Sequence, residues 1–161
     1  MERAKEWYST QHGDRFTLTL KKWIESHTKA RVVGWKQLVE SDDEKAEVDL
    51  LIHSGSLLFV IECKAFRKSR EFFRGDGDAV SYRCSLIREA VKQSEKAAAV
   101  VRNALTCGDN RIPPVERVEA VVCMPTQEYL RPFDEHGMLT TTIPRVCTPE
   151  ELLRVLGEVT G

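Results

Sequence analysis

The sequence predicts an α/β protein in which a central mixed β-sheet carries helices on its faces. Short apolar segments of strand length alternate with longer segments of helical periodicity, in the order α-β-β-β-α-β-(β)-α along 161 residues. Hydrophobic residues make up 42% and charged residues 30% of the chain, the balance of a soluble globular protein. This length suits one domain, 1–161, that includes a C-terminal strand and helix at 143–159.

The elements follow from hydrophobic periodicity and from turn signals. The predicted elements are a helix at 3–26, strands at 31–39, 47–52 and 57–65, a helix at 79–105, strands at 115–124 and 143–147, and a closing helix that begins at Pro149. The first helix repeats apolar residues three and four positions apart and is expected to break near Gly13. The turn signal Ser54-Gly55 predicts a hairpin between the second and third strands.

The second half of the chain is divided by loop and cap signals. Residues 66–78 are basic, aromatic and glycine-containing, which predicts a loop with short structure. The long helix that follows carries one continuous apolar stripe and is expected to end at Cys107-Gly108-Asp109-Asn110, and residues 125–137 are predicted to be irregular. The segment Thr148-Pro149-Glu150-Glu151 is typical of a capping box with proline at the first helical position.

Composition limits the classes of function. The formal net charge is −1, so an anionic partner needs a local basic patch. No apolar run reaches the length that spans a bilayer, and residues 1–6 lack the apolar core of a signal peptide, so no membrane partner is expected. The five cysteines are widely spaced and form no C-x-x-C pair, which favours reduced thiols in a cytoplasmic protein over a structural zinc site.

Charged residues interrupt the two apolar runs of the predicted hairpin. Asp49, Glu62 and Lys64 stand in sequence that is otherwise typical of buried strands, where a charge is costly unless it is paired or holds a metal. Side chains of a strand alternate faces, so Glu62 and Lys64 share one face. A turn with an even number of loop residues centred on Ser54-Gly55 places Asp49 opposite Val60, on that same face.

Converging carboxylates suit Mg²⁺ or Mn²⁺, which prefer oxygen ligands. Asp49 and Glu62 are the predicted ligands, the carbonyl of Cys63 adds an oxygen, and Glu47, expected opposite Glu62, either binds the metal or flanks it. A metal at this position would polarise a scissile phosphate and activate a water, while the Lys64 ammonium would orient the nucleophile or stabilise charge at phosphorus. The alternative is an exposed edge hairpin with a salt bridge, against which the flanking apolar residues argue.

Asp49, followed by Glu62-Cys63-Lys64 at the end of the next apolar strand, resembles the PD-(D/E)XK nuclease superfamily. The resemblance covers residues 10–125 and is greatest to nuclease-related domains and to Holliday-junction-resolvase-like or type IV restriction enzymes. It implies a restriction-endonuclease-like three-layer sandwich with the core order αβββαβ. It also implies a Mg²⁺-dependent endonuclease that acts on DNA in restriction or repair.

Two further site residues are implied by this resemblance. Relatives carry a Gly-Glu early in the first helix that assists the metal, and Gly13-Asp14 stands at that place with a side chain one methylene shorter. Relatives also place a catalytic Gln on the helix after the motif, which Gln93 matches. The alternative for Asp14 is an N-cap of a helix that begins at Arg15, and the alternative for Gln93 is a solvated polar face.

A run of basic residues interleaved with aromatic residues follows the motif. The basic strip comprises Arg67, Lys68, Arg70 and Arg74, and it is continued on the long helix by Arg83, Arg88, Lys92 and Lys96. Basic residues beside a metal site are what binding a phosphate backbone requires, although a solvated charged loop explains them as well. The expected partner is DNA, with RNA, a homodimer and a larger nuclease assembly left open. The second hypothesis for the chain is a catalytically silent nucleic-acid-binding or assembly module on the same fold.

Overall fold

A computed structural model of the chain describes residues 2–41, 44–106, 114–126 and 143–159. Its elements are α1 (Glu2–His27), β1 (Arg31–Glu40), β2 (Lys45–Ser54), β3 (Leu57–Cys63), α2 (Arg70–Phe73), α3 (Gly77–Thr106), β4 (Arg117–Cys123), β5 (Val146–Cys147) and α4 (Pro149–Val159). The predicted helix end at 107–110 and most of the predicted irregular segment, residues 127–137, lie outside the described residues. No helix in the described ranges combines the length and the apolar character that crossing a membrane requires.

The five strands form one mixed sheet in the order β1-β2-β3-β4-β5. Strands β1, β2 and β3 pair antiparallel, and β4 and β5 add to β3 in parallel. A parallel connection cannot be made by a tight turn, and here α2 and α3 form the crossover between β3 and β4. The predicted α/β class with a mixed sheet is therefore confirmed.

Helices cover both faces of the sheet. Adjacent residues of β3 show this, because Phe59 packs with the helices α1 and α4 while Val60 packs with α3. The α1 and α4 side is closed by Leu20, Ile24, Leu152 and Leu156, and the α3 side by Ala97, Ala98, Val101 and Ala104. The result is three layers, with the apolar stripe of α3 filling the second interface as its periodicity predicts.

Helix ends show which cap signals the chain uses. At the start of α4, the Thr148 amide donates to Glu151 Oε2 at 2.8 Å and the Glu151 amide donates to Thr148 Oγ1 at 3.3 Å, which confirms the capping box. The Asp76 carboxylate accepts from the Ala79 amide at 2.9 Å, so α3 begins two residues earlier than predicted.

The predicted break of the first helix at Gly13 is wrong, because α1 runs without interruption from Glu2 to His27. A single glycine inside a helix costs about 1 kcal/mol relative to alanine, which burial of Leu20 and Ile24 outweighs. Asp14 consequently lies inside α1 rather than at its start. The alternative that Asp14 caps a helix is therefore wrong too.

The predicted register of the hairpin is wrong by two residues. The turn is made by Gly55 and Ser56, since Ser54 pairs with Leu57, and the partner of Val60 is Leu51 rather than Asp49. Gly55 has a φ of +58°, in the left-handed region that glycine enters without a Cβ penalty. An even error leaves the alternation of faces unchanged, and continuing the observed register sets Asp49, not Glu47, opposite Glu62.

Candidate active site

A pocket of about 470 Å³ lies where α1, β1, β2, β3 and α3 meet. Every residue predicted to catalyse or to bind metal lines it: Asp14, Asp49, Glu62, Cys63, Lys64 and Gln93. Its charged lining consists of four carboxylates and four ammonium groups: Asp14, Glu47, Asp49, Glu62, Lys36, Lys45, Lys64 and Lys96. The structure therefore brings together residues that are up to 79 positions apart between Asp14 and Gln93.

Asp49 lies just beyond the last backbone pair between β2 and β3. Backbone pairing of β2 with β3 runs from Ser54–Leu57 to Leu50–Ile61. Beyond that pair the Cys63 amide donates to Asp49 Oδ2 at 2.8 Å, so a carboxylate takes the place of a backbone acceptor. This hydrogen bond fixes Asp49 beside the end of β3, next to Glu62.

Glu62, in β3, forms an ion pair with Lys64, which directly follows the strand. Lys64 Nζ lies 2.6 Å from Glu62 Oε1, and the two side chains are only 14% and 26% exposed. Their neighbours Ile61 and Cys63 are buried, which fixes the strand and therefore the position of both charges. Desolvation raises the pKa of Glu62, and the ion pair with Lys64 opposes that rise.

The surroundings of Asp49 raise the pKa of its carboxyl group, as those of Glu62 do. Burial raises the pKa of its carboxyl, while the hydrogen bond from Cys63 and the positive charge of Lys64 act in the opposite direction. Two neighbouring carboxyl groups are thus held in surroundings that disfavour their charged forms. Such clustering of perturbed groups in a pocket is typical of functional sites, since packing alone does not require it.

The donor set fits a hard divalent cation. Among the described side chains, no group of three or more His, Cys, Asp or Glu residues is arranged to hold a metal ion. Mg²⁺ is commonly bound by one or two carboxylates and keeps several of its waters, so the side chains that could hold it here are Asp49 and Glu62. The thiol of Cys63 is buried and burial raises its pKa, which leaves only the backbone of this residue as a source of a hard ligand.

Asp14 lines the pocket but is engaged by a lysine. Its carboxylate forms an ion pair with Lys36 Nζ, and the two side chains are 53% and 32% exposed. The predicted metal role of Asp14 stays a prediction. An ion pair this exposed contributes about 0.2–1 kcal/mol, so it can exchange partners readily.

Lys36 is a pocket residue that reasoning from the sequence missed. It has a φ of +43°, which for a residue with a side chain costs about 1–3 kcal/mol. The pairing of β1 with β2 shifts register between Val32 and Gly34, just before this residue. Gly34 inside a strand pattern was the available signal, because such a glycine often marks a bulge.

The basic strip is only partly as expected. Arg67, Arg70 and Arg74 are exposed, and Lys68 Nζ lies over the Phe72 ring at 5.6 Å from its centroid. The extension of the strip to Arg83 is wrong. Its side chain is buried, with the guanidinium carbon 5.3 Å from the centroid of the Phe66 ring. A cation below the surface is not available to a phosphate backbone.

The chain matches a known protein family over most of its length. A family model described as nuclease-related domain matches residues 9–125, which start in α1, end just after β4 and include every residue that lines the pocket. Comparisons with curated proteins and with solved structures gave no match.

Proposed function

We propose that this chain, which belongs to the nuclease-related domain family, is a divalent-metal-dependent endonuclease that hydrolyses phosphodiester bonds of DNA in restriction or repair. The observation that carries the proposal is the meeting of Asp49, Glu62 and Lys64 in one pocket, in the spacing of the PD-(D/E)XK nucleases. A restriction-endonuclease-like sandwich with the core order αβββαβ is part of the proposal. The mixed sheet with helices on both faces is compatible with that fold.

Asp49, Glu62 and the Cys63 carbonyl are the residues that would hold Mg²⁺ or Mn²⁺. When bound, such an ion supplies Lewis-acid polarisation of the phosphate and lowers the pKa of a water. The chain contributes the remaining parts. Lys64 supplies positive charge where negative charge develops on the phosphoryl oxygens, and its ion pair with Glu62 keeps the ammonium in place. Gln93, exposed on α3 at the rim of the pocket, is proposed to orient the attacking water.

The basic strip is the proposed path of the DNA backbone. Arg67, Arg70 and Arg74 are exposed and follow Lys64 within ten residues of the chain. Because the whole chain is nearly neutral, the attraction is local, and a homodimer or a larger assembly would increase the affinity. A cytoplasmic location is proposed along with this function, and the four described cysteines are free thiols, as expected there.

A second candidate is a catalytically silent nucleic-acid-binding module on the same fold. One observation favours it: the position of the usual glutamate is taken by the shorter Asp14, and that carboxylate is already paired with Lys36. The two functions differ in cleavage but not in binding.

A plasmid-nicking assay with Mg²⁺, with Mn²⁺ and with a chelator tests the proposal. Wild type should convert supercoiled plasmid to the nicked form with either metal and not with the chelator, and Asp49→Asn should be inactive throughout. Binding of DNA without nicking by wild type in any metal would favour the silent module. Nicking that persists in Asp49→Asn would contradict the assignment of the site.

A further inference from the structure

The edge strand β1 is distorted where it passes the pocket. Trp35 pairs with Leu50 and Gln37 pairs with Val48, so the register sets Lys36 directly opposite Asp49. At this residue the backbone enters the left-handed region, with a φ of +43°. Lys36 lines the pocket together with Asp49. We propose that Lys36 is a substrate-binding residue of this pocket that contacts a phosphate of the nucleic acid, an inference that rests on the proposed nuclease function.

The ion pair of Lys36 with Asp14 does not offset the strain of the backbone at this residue. A positive φ is tolerated by glycine at no steric cost, whereas a lysine there is strained. The ion pair of Lys36 with Asp14 joins two partly exposed side chains, and pairs of that kind stabilise a fold by less than such strain costs. Backbone strain that is not offset by stabilising contacts is typical of residues at functional sites.

The chemistry of the surroundings identifies the ligand as an anion. An ammonium group does not ligate Mg²⁺, so Lys36 has no place among the metal ligands. A phosphodiester held at Asp49 and Glu62 would lie in the same pocket as Lys36, because all three residues line it. Its side chain is 32% exposed and is held by a weak ion pair, so the ammonium can move from Asp14 to a phosphate oxygen. With Lys64 on the other side of Asp49 in the lining, the pocket offers the phosphate two cations.

Four variants separate binding from a structural role. Lys36→Ala removes the charge, Lys36→Gly removes the charge and relieves the strain, and Lys36→Arg keeps the charge. The matched control is Lys21→Ala, which removes a partly exposed lysine of α1 that is ion-paired with Glu25 at 2.6 Å and lies outside the pocket lining.

Affinity for a short fluorescein-labelled DNA duplex is measured by anisotropy in Ca²⁺ over a series of salt concentrations, and nicking kinetics are measured in Mg²⁺. Lys36→Ala and Lys36→Gly should each weaken binding about fivefold. The slope of log K against log salt should fall by about 0.9. Both variants should raise KM with little change in kcat. Lys36→Arg, which keeps the charge, should bind more tightly than either of them, and Lys21→Ala should match wild type. Lys36→Gly should also melt at or above the temperature of wild type.

Two outcomes would overturn the role proposed for Lys36. If Lys36→Ala and Lys36→Gly fold and bind with the affinity and salt slope of wild type, while wild type nicks DNA, the role of Lys36 is overturned and the proposed function stands. If wild type neither binds nor nicks DNA, both are overturned. Should Lys36→Ala fail to fold, Lys36→Gly carries the same comparison.

Discussion

Lys64→Ala is the variant that tests the mechanism most directly. The ammonium of Lys64 lies 2.6 Å from Glu62 in a pocket where both side chains are mostly buried, so its charge acts with little screening by water. Removal of one preorganised group that stabilises developing charge typically lowers the rate by about 10²–10³. We expect a loss of that size in Mg²⁺-dependent nicking, with metal binding retained because lysine is not a ligand of Mg²⁺.

The same variant has a predictable effect on stability. It leaves the Glu62 carboxylate in the pocket without its partner, and a hydrogen bond to a charged group contributes about 1.5–3 kcal/mol. The free energy of unfolding should fall by about this amount at neutral pH. Burial already raises the pKa of Glu62, so protonation removes the charge as the pH falls through that raised value. The deficit should fade as the pH falls through the raised pKa of Glu62, and it should be absent below the ordinary range of glutamate.

The assays are single-turnover nicking, calorimetric titration of Mg²⁺, and urea denaturation at neutral and acidic pH. Lys64→Arg keeps the charge and serves as the conservative control. Lys21→Ala breaks an ion pair within α1 whose acidic partner Glu25 is 43% exposed, against 14% for Glu62, and its loss should cost only about 0.3–0.5 kcal/mol. A Lys64→Ala protein that nicks DNA at the wild-type rate would refute the role given to this residue. A stability deficit that does not change with pH would refute the electrostatic reasoning about Glu62.

Three further changes probe the metal ligand, the basic strip and the last helix. Asp49→Asn should abolish Mg²⁺ binding and nicking, yet metal-free protein should melt at a higher temperature than wild type at neutral pH. Burial raises the pKa of Asp49, so its charge is unfavourable in the fold and the gain should fade in acid, as thermal melts will show. Replacing Arg67, Lys68 and Arg70 together with alanine should reduce the salt slope of duplex binding by about 0.9 for each lost phosphate contact, and an unchanged slope would leave the strip as a solvated loop. Thr148→Ala removes the capping box and should lower the free energy of unfolding by about 1 kcal/mol in urea, against no change if the cap contributes nothing.

The fold class could be predicted because its signals are local. The period of the apolar residues marked α3 and the strands β2, β3 and β4, and the Thr148 capping box marked the start of α4. The predicted helix break at Gly13 was wrong because it relied on the low helix propensity of glycine. The packing of α1 against the sheet overrides that propensity. The register error arose because Ser54-Gly55 and Gly55-Ser56 are both plausible turn pairs, and only the backbone shows which residues make the turn.

The candidate site was visible in the sequence where it violates the burial pattern. Glu62 stands between the buried residues Ile61 and Cys63, so a reader of the sequence sees a charge that the core does not need. Burial of Arg83 could not be seen in the same way. The sequence does not show whether a basic residue on a helix faces solvent or an aromatic ring. The contact of Arg83 with Phe66 depends on how α3 packs in the fold.

Lys36 is unusual in a different respect, because its backbone has a positive φ that a side-chain-bearing residue rarely adopts. The pattern of hydrophobic residues in the sequence gives no information about backbone conformation of this kind. Its neighbours in sequence, Gly34 and Trp35, give at most the hint of a bulge. The strained Lys36 and the half-buried Asp49 line the same pocket. Burial disfavours the charge of Asp49, and backbone sterics disfavour the conformation of Lys36. A fold selected for stability alone would remove both with an asparagine at 49 and a glycine at 36, and their joint presence in one pocket is the physical argument for assigning both residues to function.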